Sequence, residues 1–175
     1  MLMRQQTPGK IGHMTEPRWL DPQERRMWRG YLRMQRAVDV ALGRQLAEAG
    51  ISRPDYEVLV PLSEADGRTL RVRDLASWLG WDRSRISHQL RRMEERGLIT
   101  REDCVSDARG TMVRLTDKGY EITVTAAPGQ VDTVRRVLFD QLGPGEIDQL
   151  TTIAERVAGA AGYAHLPYPE PDERR

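Results

Sequence analysis

The sequence holds one cysteine, Cys104, one phenylalanine and two lysines in 175 residues. A lone cysteine excludes an intramolecular disulfide framework and suits a reducing compartment. Histidine is scarce too. His13, His88 and His165 stand far apart, and with a single thiol they make no convincing metal-ligand spacing. No stretch approaches the ~18 apolar residues of a membrane span, and the mean hydropathy is −0.61. The N-terminal residues lack the apolar core of a signal peptide. Neither a P-loop nor a Gly-x-Gly-x-x-Gly after a strand is present. These absences predict a cytoplasmic protein with no metal, no cofactor, no membrane association and no enzymatic activity. Its length fits one domain, or one domain with an extension.

The net charge is +1, from 27 basic and 26 acidic residues, which taken alone does not announce a nucleic-acid partner. The distribution is more informative. Residues 67–119 carry 12 basic and 8 acidic side chains, whereas residues 120–175 carry 5 and 9. The positive charge is therefore concentrated in the middle of the chain. Arginine supplies 25 of the 27 basic residues, a bias that GC-rich codon usage would produce.

Apolar spacing predicts a succession of helices. Residues 1–18 are expected to be a leader outside the fold, with Gly12-His13-Met14 reading as a vector junction or an upstream start ahead of Met14. A long amphipathic helix from Glu24 to Ala49 follows, carrying Trp28, Tyr31, Leu32, Val38, Leu42 and Leu46. Gly50 ends it. Ser52 and Asp55 form a capping box for a second helix, in which Pro61 predicts a kink or a shortened end. Thr69-Leu70-Arg71 reads as a very short strand. A short third helix, the Gly80-Trp81 turn, an Asp82 N-cap and a fourth helix to about Arg96 compose a helix-turn-helix. Residues 98–101 and 111–115 then read as two strands of a hairpin with a polar loop over 102–110. Thr116 caps a further helix reaching Leu142, with a kink or break expected at Pro128-Gly129. Pro144 is expected to open a last helix, and residues 162–175 to form a flexible tail.

Residues 82–96 carry the chemistry. On a helical wheel Ile86, Leu90 and Met93 form one stripe, and Ser84, His88 and Arg91 form the opposite face, flanked by Arg85, Ser87 and Arg92. Six arginines lie between Arg83 and Arg101, and the two acids there, Glu94 and Glu95, sit in the last turns. A recognition helix enters the major groove through its N-terminal residues, so this charge distribution suits DNA. A hairpin with Arg109 at its tip suits the minor groove, with Asp107 placed to hold the guanidinium by an ion pair. Ser84 and His88, at i and i+4, imitate a nucleophile and base but lack an orienting third group.

Asp74-Leu75-Ala76, Arg83-Ser84 with Ile86-Ser87, Leu90, Gly97-Leu98-Ile99 with Arg101, Asp107 with Arg109, and Leu115-Thr116 with Gly119 resemble the signature of the MarR (multiple-antibiotic-resistance regulator) family. The motif-bearing match covers about residues 70–120. The resemblance implies a mainly α fold with a small β-hairpin wing: a winged helix-turn-helix over 51–119, flanked by dimerisation helices at 19–50 and 120–161. It further implies a homodimeric transcriptional regulator, usually a repressor, that binds a pseudo-palindromic operator in double-stranded DNA and is released by a ligand or oxidant. By matching positions, Ser84, Arg85, Ser87, His88 and Arg91 are the candidate base contacts. Arg83, Arg92 and Arg101 are the candidate backbone contacts, and Asp107 and Arg109 the minor-groove wing pair.

Two further features each admit two readings. Trp28, Tyr31 and Tyr56 are candidates for a pocket that takes a small aromatic ligand, although core or dimer packing also explains aromatic residues there. Cys104 is a candidate redox site; Glu102 and Asp103 raise a thiol pKa and Arg101 lowers it, so a passive thiol is the alternative. For the whole chain the competing reading is a winged-helix module that contacts only proteins.

Overall fold

The computed structural model describes residues 17–103 and 110–163. The chain divides into two compact units, one ending at Gln35 and the other beginning at Arg36. The expected mainly α architecture with a small antiparallel sheet is present.

Helix α1 spans Pro22–Glu48, beginning two residues before the expected start. The reason is a reciprocal cap: the Asp21 amide donates to Glu24 Oε2 and the Glu24 amide to Asp21 Oδ1, both at 2.8 Å. Pro22 sits at the first helical position, where a missing N–H costs nothing. Within the first unit, Trp28 stacks on Tyr31 with ring centroids 5.6 Å apart, and Met27, Trp28, Tyr31, Leu32 and Met34 are exposed.

The second unit is built around the winged helix. Helix α2 (Arg53–Glu64) carries the expected capping box, Ser52 with Asp55. Pro61 does not shorten it; the helix continues for one residue short of a full turn, and Pro61 itself is buried. A 3₁₀ turn, Asp66–Arg68, leads into β1 (Thr69–Arg71). Helices α3 (Val72–Leu79) and α4 (Arg83–Glu95) follow, then β2 (Ile99–Asp103) and β3 (Thr111–Leu115). The sheet order is β1-β3-β2, all antiparallel, with Leu70 opposite Val113 and Arg101 opposite the same residue on the other side. The short strand thus extends the hairpin into a three-stranded wing base.

Leu59 and Leu62 of α2, Leu75 of α3, Ile86, Leu90 and Met93 of α4, Leu98, Ile99, Val113 and Leu115 of the sheet region share one core with Leu46 and Ala126. Burial of aliphatic side chains, about 1.5–3 kcal/mol each, is the dominant stabilisation here.

Helix α5 (Asp117–Val137) runs without interruption through Pro128-Gly129, contrary to the expected break. Proline deletes one i→i−4 bond, that to the Val124 carbonyl, and both Val124 and Pro128 lie on the exposed side. Gly129 lies close against the Gln45 side chain. A Cβ there would stand 2.6 Å from Gln45 Nε2, and that amide donates to the Ala126 carbonyl at 3.3 Å. The helix also stops earlier than expected, in a 3₁₀ turn at Phe139–Gln141. The last helix, α6 (Glu146–Ala160), begins after Gly145 at φ 80° rather than at Pro144. It buries none of its residues, and Ile147, Ile153 and Val157 are exposed.

Candidate nucleic-acid interface

The turn between α3 and α4 is set by three residues. Gly80 takes φ 62° at the end of α3, a left-handed conformation that glycine adopts cheaply. The Trp81 amide donates back to the Ala76 carbonyl at 2.9 Å, which closes the α3 terminus. Asp82 then caps α4, accepting from the Ser84 and Arg85 amides at 2.8 and 2.9 Å and from the Ser84 hydroxyl. The Ser84 hydroxyl and the Arg85 amide hold the Asp82 carboxyl below its ordinary pKa. The fourth helix is therefore anchored at its N-terminus by a carboxylate that stays ionised in mild acid.

Helix α4 is divided as the wheel predicts. Ile86, Leu90 and Met93 are buried, while Arg83, Ser84, Arg85, Ser87, His88, Arg91 and Arg92 are all exposed. Their neighbours differ. The Arg85 guanidinium lies 4.1 Å above the Trp81 ring, a cation–π contact that limits its rotamers. Arg91 stands 3.9 Å from Glu95, a loose surface pair worth little. Arg92 donates to the Gln89 carboxamide oxygen. Arg101 is gripped by Glu94: its Nε donates to Oε2 at 2.9 Å and its amide to Oε1 at 3.1 Å. That guanidinium keeps the Glu94 pKa below the usual carboxylate value. Arg101 is thereby tied to the end of α4 although it belongs to β2. Asp107, Arg109 and Cys104 lie outside the described residues.

Between α3, the first turns of α4 and the wing base lies an open cleft of about 690 Å³, whose lining includes Arg71, Arg73, Arg83, Ser87, Arg101 and Thr111. Four guanidinium-bearing residues thus border one concavity next to the exposed face of α4. A concave, arginine-rich surface of this kind concentrates field and attracts polyanions.

Sequence reasoning missed the network behind that face. Asp55 and Gln89 are almost wholly buried, at 2% and 3% exposure. Gln89 Nε2 donates to Asp55 Oδ1 at 2.7 Å, and Arg96 Nη1 donates to Asp55 Oδ2, also at 2.7 Å. Burial alone would raise the Asp55 pKa, but the Ser52 amide and the Arg96 guanidinium outweigh it, and the net shift is downward. One carboxylate therefore caps α2 and holds α4 at two points a helical span apart. The signal was present in the spacing: Gln89 falls on the buried stripe with Ile86 and Met93, where a carboxamide requires a partner.

Of the three aromatic ligand-pocket candidates, Trp28 and Tyr31 stack on each other and are exposed. Tyr56 is half-buried and packs against the main core, and burial followed by the Glu64 carboxylate pushes its phenol pKa up. Among the described residues, no group of three or more acidic, histidine or cysteine side chains is placed to hold a metal, and no helix is long and apolar enough to cross a membrane.

Comparison with known proteins agrees with this geometry. The MarR family model matches residues 51–111, which run from the start of α2 to the wing. The transcriptional repressor MprA of Escherichia coli is 26% identical over 114 residues, covering 65% of this chain and 64% of the repressor's own length. The chain thus spans just under two thirds of that curated relative. Two solved structures from Streptomyces coelicolor are more similar. AbsC, a MarR family transcriptional regulator, is 38% identical with a TM-score of 0.80, covering 83% of this chain and 99% of AbsC. Sco3205, a MarR family transcriptional regulator solved in complex with DNA, is 42% identical with a TM-score of 0.78, covering 82% of this chain and 91% of Sco3205. A helix-turn-helix with a three-stranded wing, one arginine-lined face and relatives of this similarity along nearly their whole length have one reading: the chain belongs to the MarR family of transcriptional regulators.

Proposed function

We propose that the protein is a homodimeric, sequence-specific DNA-binding regulator, a ligand-responsive repressor of a pseudo-palindromic operator. In this reading residues 51–119 bind DNA, and residues 19–50 and 120–161 pair with a second copy. The observation that carries it is the exposed face of α4. Its N-terminal half offers only Arg83, Ser84, Arg85, Ser87 and His88 to solvent, with Arg91 exposed on the next turn, above a side packed into the core. That is the end of a helix that reaches base edges in the major groove.

Arg85, Ser87, His88 and Arg91, with the acceptor lone pairs of Ser84, act as base readers. Arg83, Arg92 and Arg101 contact phosphates; Gln89 and Glu94 orient the last two before DNA arrives. The wing over 102–110 reaches the flanking minor groove through Arg109, held by Asp107. Similarity to a relative solved on DNA supports this assignment. Dimerisation is supported by α6, whose fifteen residues bury nothing within the subunit. An amphipathic helix without a buried face normally covers that face elsewhere. A small aromatic ligand stacking near Trp28 and Tyr31 would act by favouring a dimer whose two α4 helices no longer fit grooves about 34–36 Å apart.

The test is fluorescence anisotropy with a duplex from upstream of the protein's own gene and a scrambled duplex of equal length. Salt-dependent binding that favours the natural duplex at least about tenfold is expected. Equal affinity removes sequence-specific reading. No binding to either favours the rival reading, a winged helix that contacts only proteins.

A further inference from the structure

Helix α6 buries none of its own residues, yet its end is anchored. Gly162 takes φ 78°, and the Tyr163 amide donates back to the Ala158 carbonyl at 2.8 Å. Such a glycine turn closes a helix and redirects the chain. It brings the Tyr163 ring onto Gly80, where a Cβ would lie 3.4 Å from Tyr163 Cε1 and 3.9 Å from its hydroxyl oxygen. Gly80 is the turn of the helix-turn-helix, and both residues belong to the unit that begins at Arg36.

Ser77 and Trp81, close to Gly80 on either side, line the cleft of about 690 Å³ between α3, α4 and the wing base. That lining has two characters. Val72, Ile86 and Leu90 supply apolar surface, and Arg73, Arg83 and Arg101 supply positive charge. Arg73 and Arg101 already touch Asp74 and Glu94, but a guanidinium has five N–H donors and can take a second acid. A nucleic-acid backbone would use the arginines and leave the apolar part wet. The chain that follows Tyr163 offers both chemistries in order. Leu166, Pro167, Tyr168 and Pro169 come first, then Glu170, Asp172 and Glu173, ahead of Arg174 and Arg175.

Reach and entropy agree with this match. An extended chain covers about 3.3–3.6 Å per residue, so Leu166 lies within about 10 Å of Tyr163 and Glu173 within about 36 Å. Proline at 167, 169 and 171 restricts the backbone and lowers the entropy lost on docking. A short tether also gives an effective concentration on the order of millimolar, so weak contacts suffice.

We propose that residues 164–175 dock in this cleft, Leu166–Pro169 against its apolar lining and Glu170, Asp172 and Glu173 against its arginines, and so compete with DNA for α4. The competition rests on the DNA-binding reading above; the docking does not.

Two measurements test it. Backbone amide chemical shifts are compared, without DNA, between the full-length chain and a variant ending at Tyr163. Ser87 and Thr111, on the α4 and wing sides of the cleft, are expected to move. Unchanged shifts there overturn the proposal, and shifts that fade on dilution of the full-length chain overturn docking in cis in favour of a second copy's tail. The second measurement is affinity for the upstream duplex. Leu166→Ala/Tyr168→Ala keeps every charge and is expected to bind about three- to tenfold more tightly, as the cleft is vacated. Glu170→Gln/Asp172→Asn/Glu173→Gln is expected to change affinity in the same direction. A gain from the acid variant alone means repulsion at a distance without docking, and overturns the proposal while leaving the regulator reading intact. A parent that binds no duplex overturns the regulator reading, and the amide shifts then decide the docking by themselves. Should the shortened chain not fold, the two sets of point variants take its place in the amide comparison.

Discussion

The Gln89 carboxamide of α4 donates to the Asp55 carboxylate of α2 at 2.7 Å, and both side chains are almost wholly buried. Asp55 accepts as well from the Ser52 amide, the Ser52 hydroxyl and Arg96. Four donors therefore converge on one carboxylate that links α2 to α4, the second helix of the helix-turn-helix.

Replacing that carboxylate should be costly. Asp55→Ala leaves the Gln89 amide and part of Arg96 without a partner and removes a helix cap, a combined loss of about 2–4 kcal/mol. Asp55→Asn should lose less, because it preserves shape and one acceptor. Urea unfolding midpoints compare the two; equal stability of the alanine variant and the parent would contradict the network.

The same group sets a pH dependence. Its folded pKa lies below the ordinary aspartate value, so its contribution to stability is fully present above the unfolded pKa and is lost as pH falls through the folded one. Stability should accordingly decline as pH drops below about 4, and Asp55→Asn should flatten part of that decline. Asp82 and Glu94, also lowered, act in the same direction but are solvent-screened. Denaturation series at several acidic pH values read the difference.

Gly119 is required by proximity alone. A Cβ at this position would meet the Leu98 carbonyl oxygen at 2.2 Å and Leu115 Cδ1 at 2.7 Å. Backbone cannot yield as a side-chain tip can, so Gly119→Ala should destabilise by about 1–3 kcal/mol or more. Thermal unfolding measures it.

Arg91 and Arg92 are neighbours with different expected roles. Arg91→Ala should cost about 1–3 kcal/mol of operator affinity and relax preference at one base pair if it pairs with a guanine. Arg92→Ala should weaken all duplexes together and make the salt slope shallower by about one. Binding to a set of singly substituted duplexes separates the two patterns, and identical behaviour would refute the division.

Ile153 and Val157 project from a helix that buries nothing. Introducing charge by Ile153→Asp with Val157→Asp should convert the proposed dimer to a monomer while leaving the main core intact. Light scattering coupled to size exclusion reads the mass. A dimer that survives both substitutions would place the subunit contact elsewhere.

Much of this molecule was legible in advance because its local signals agree with its packing. The Ser52–Asp55 box, the Gly80 turn, the Asp82 cap and the Ile86–Leu90–Met93 stripe each appear where spacing puts them. The departures have separate causes. Pro128-Gly129 reads as a breaker, yet the exposed side tolerates the proline, and the glycine lies against the Gln45 side chain within an unbroken helix. Pro144 reads as a helix start, yet the Gly143 amide donates to Glu146 and the left-handed Gly145 moves the start onward. For the interface, periodicity identified which side chains are exposed. It could not reveal that Arg92 and Arg101 are already held by Gln89 and Glu94, because those partners depend on rotamers and on the approach of β2 to α4.

The crowding at Leu98 has a mechanical meaning. Its carbonyl closes against Gly119 and accepts from the Thr116 amide at 3.1 Å and hydroxyl at 3.0 Å, while Lys118 Nζ bonds the Arg96 carbonyl at 2.8 Å. The end of α4, the root of the wing and the first turn of α5 are riveted at a single point. A rotation of the first turn of α5 against the end of α4 or the start of β2 would therefore have to break several of these contacts at once.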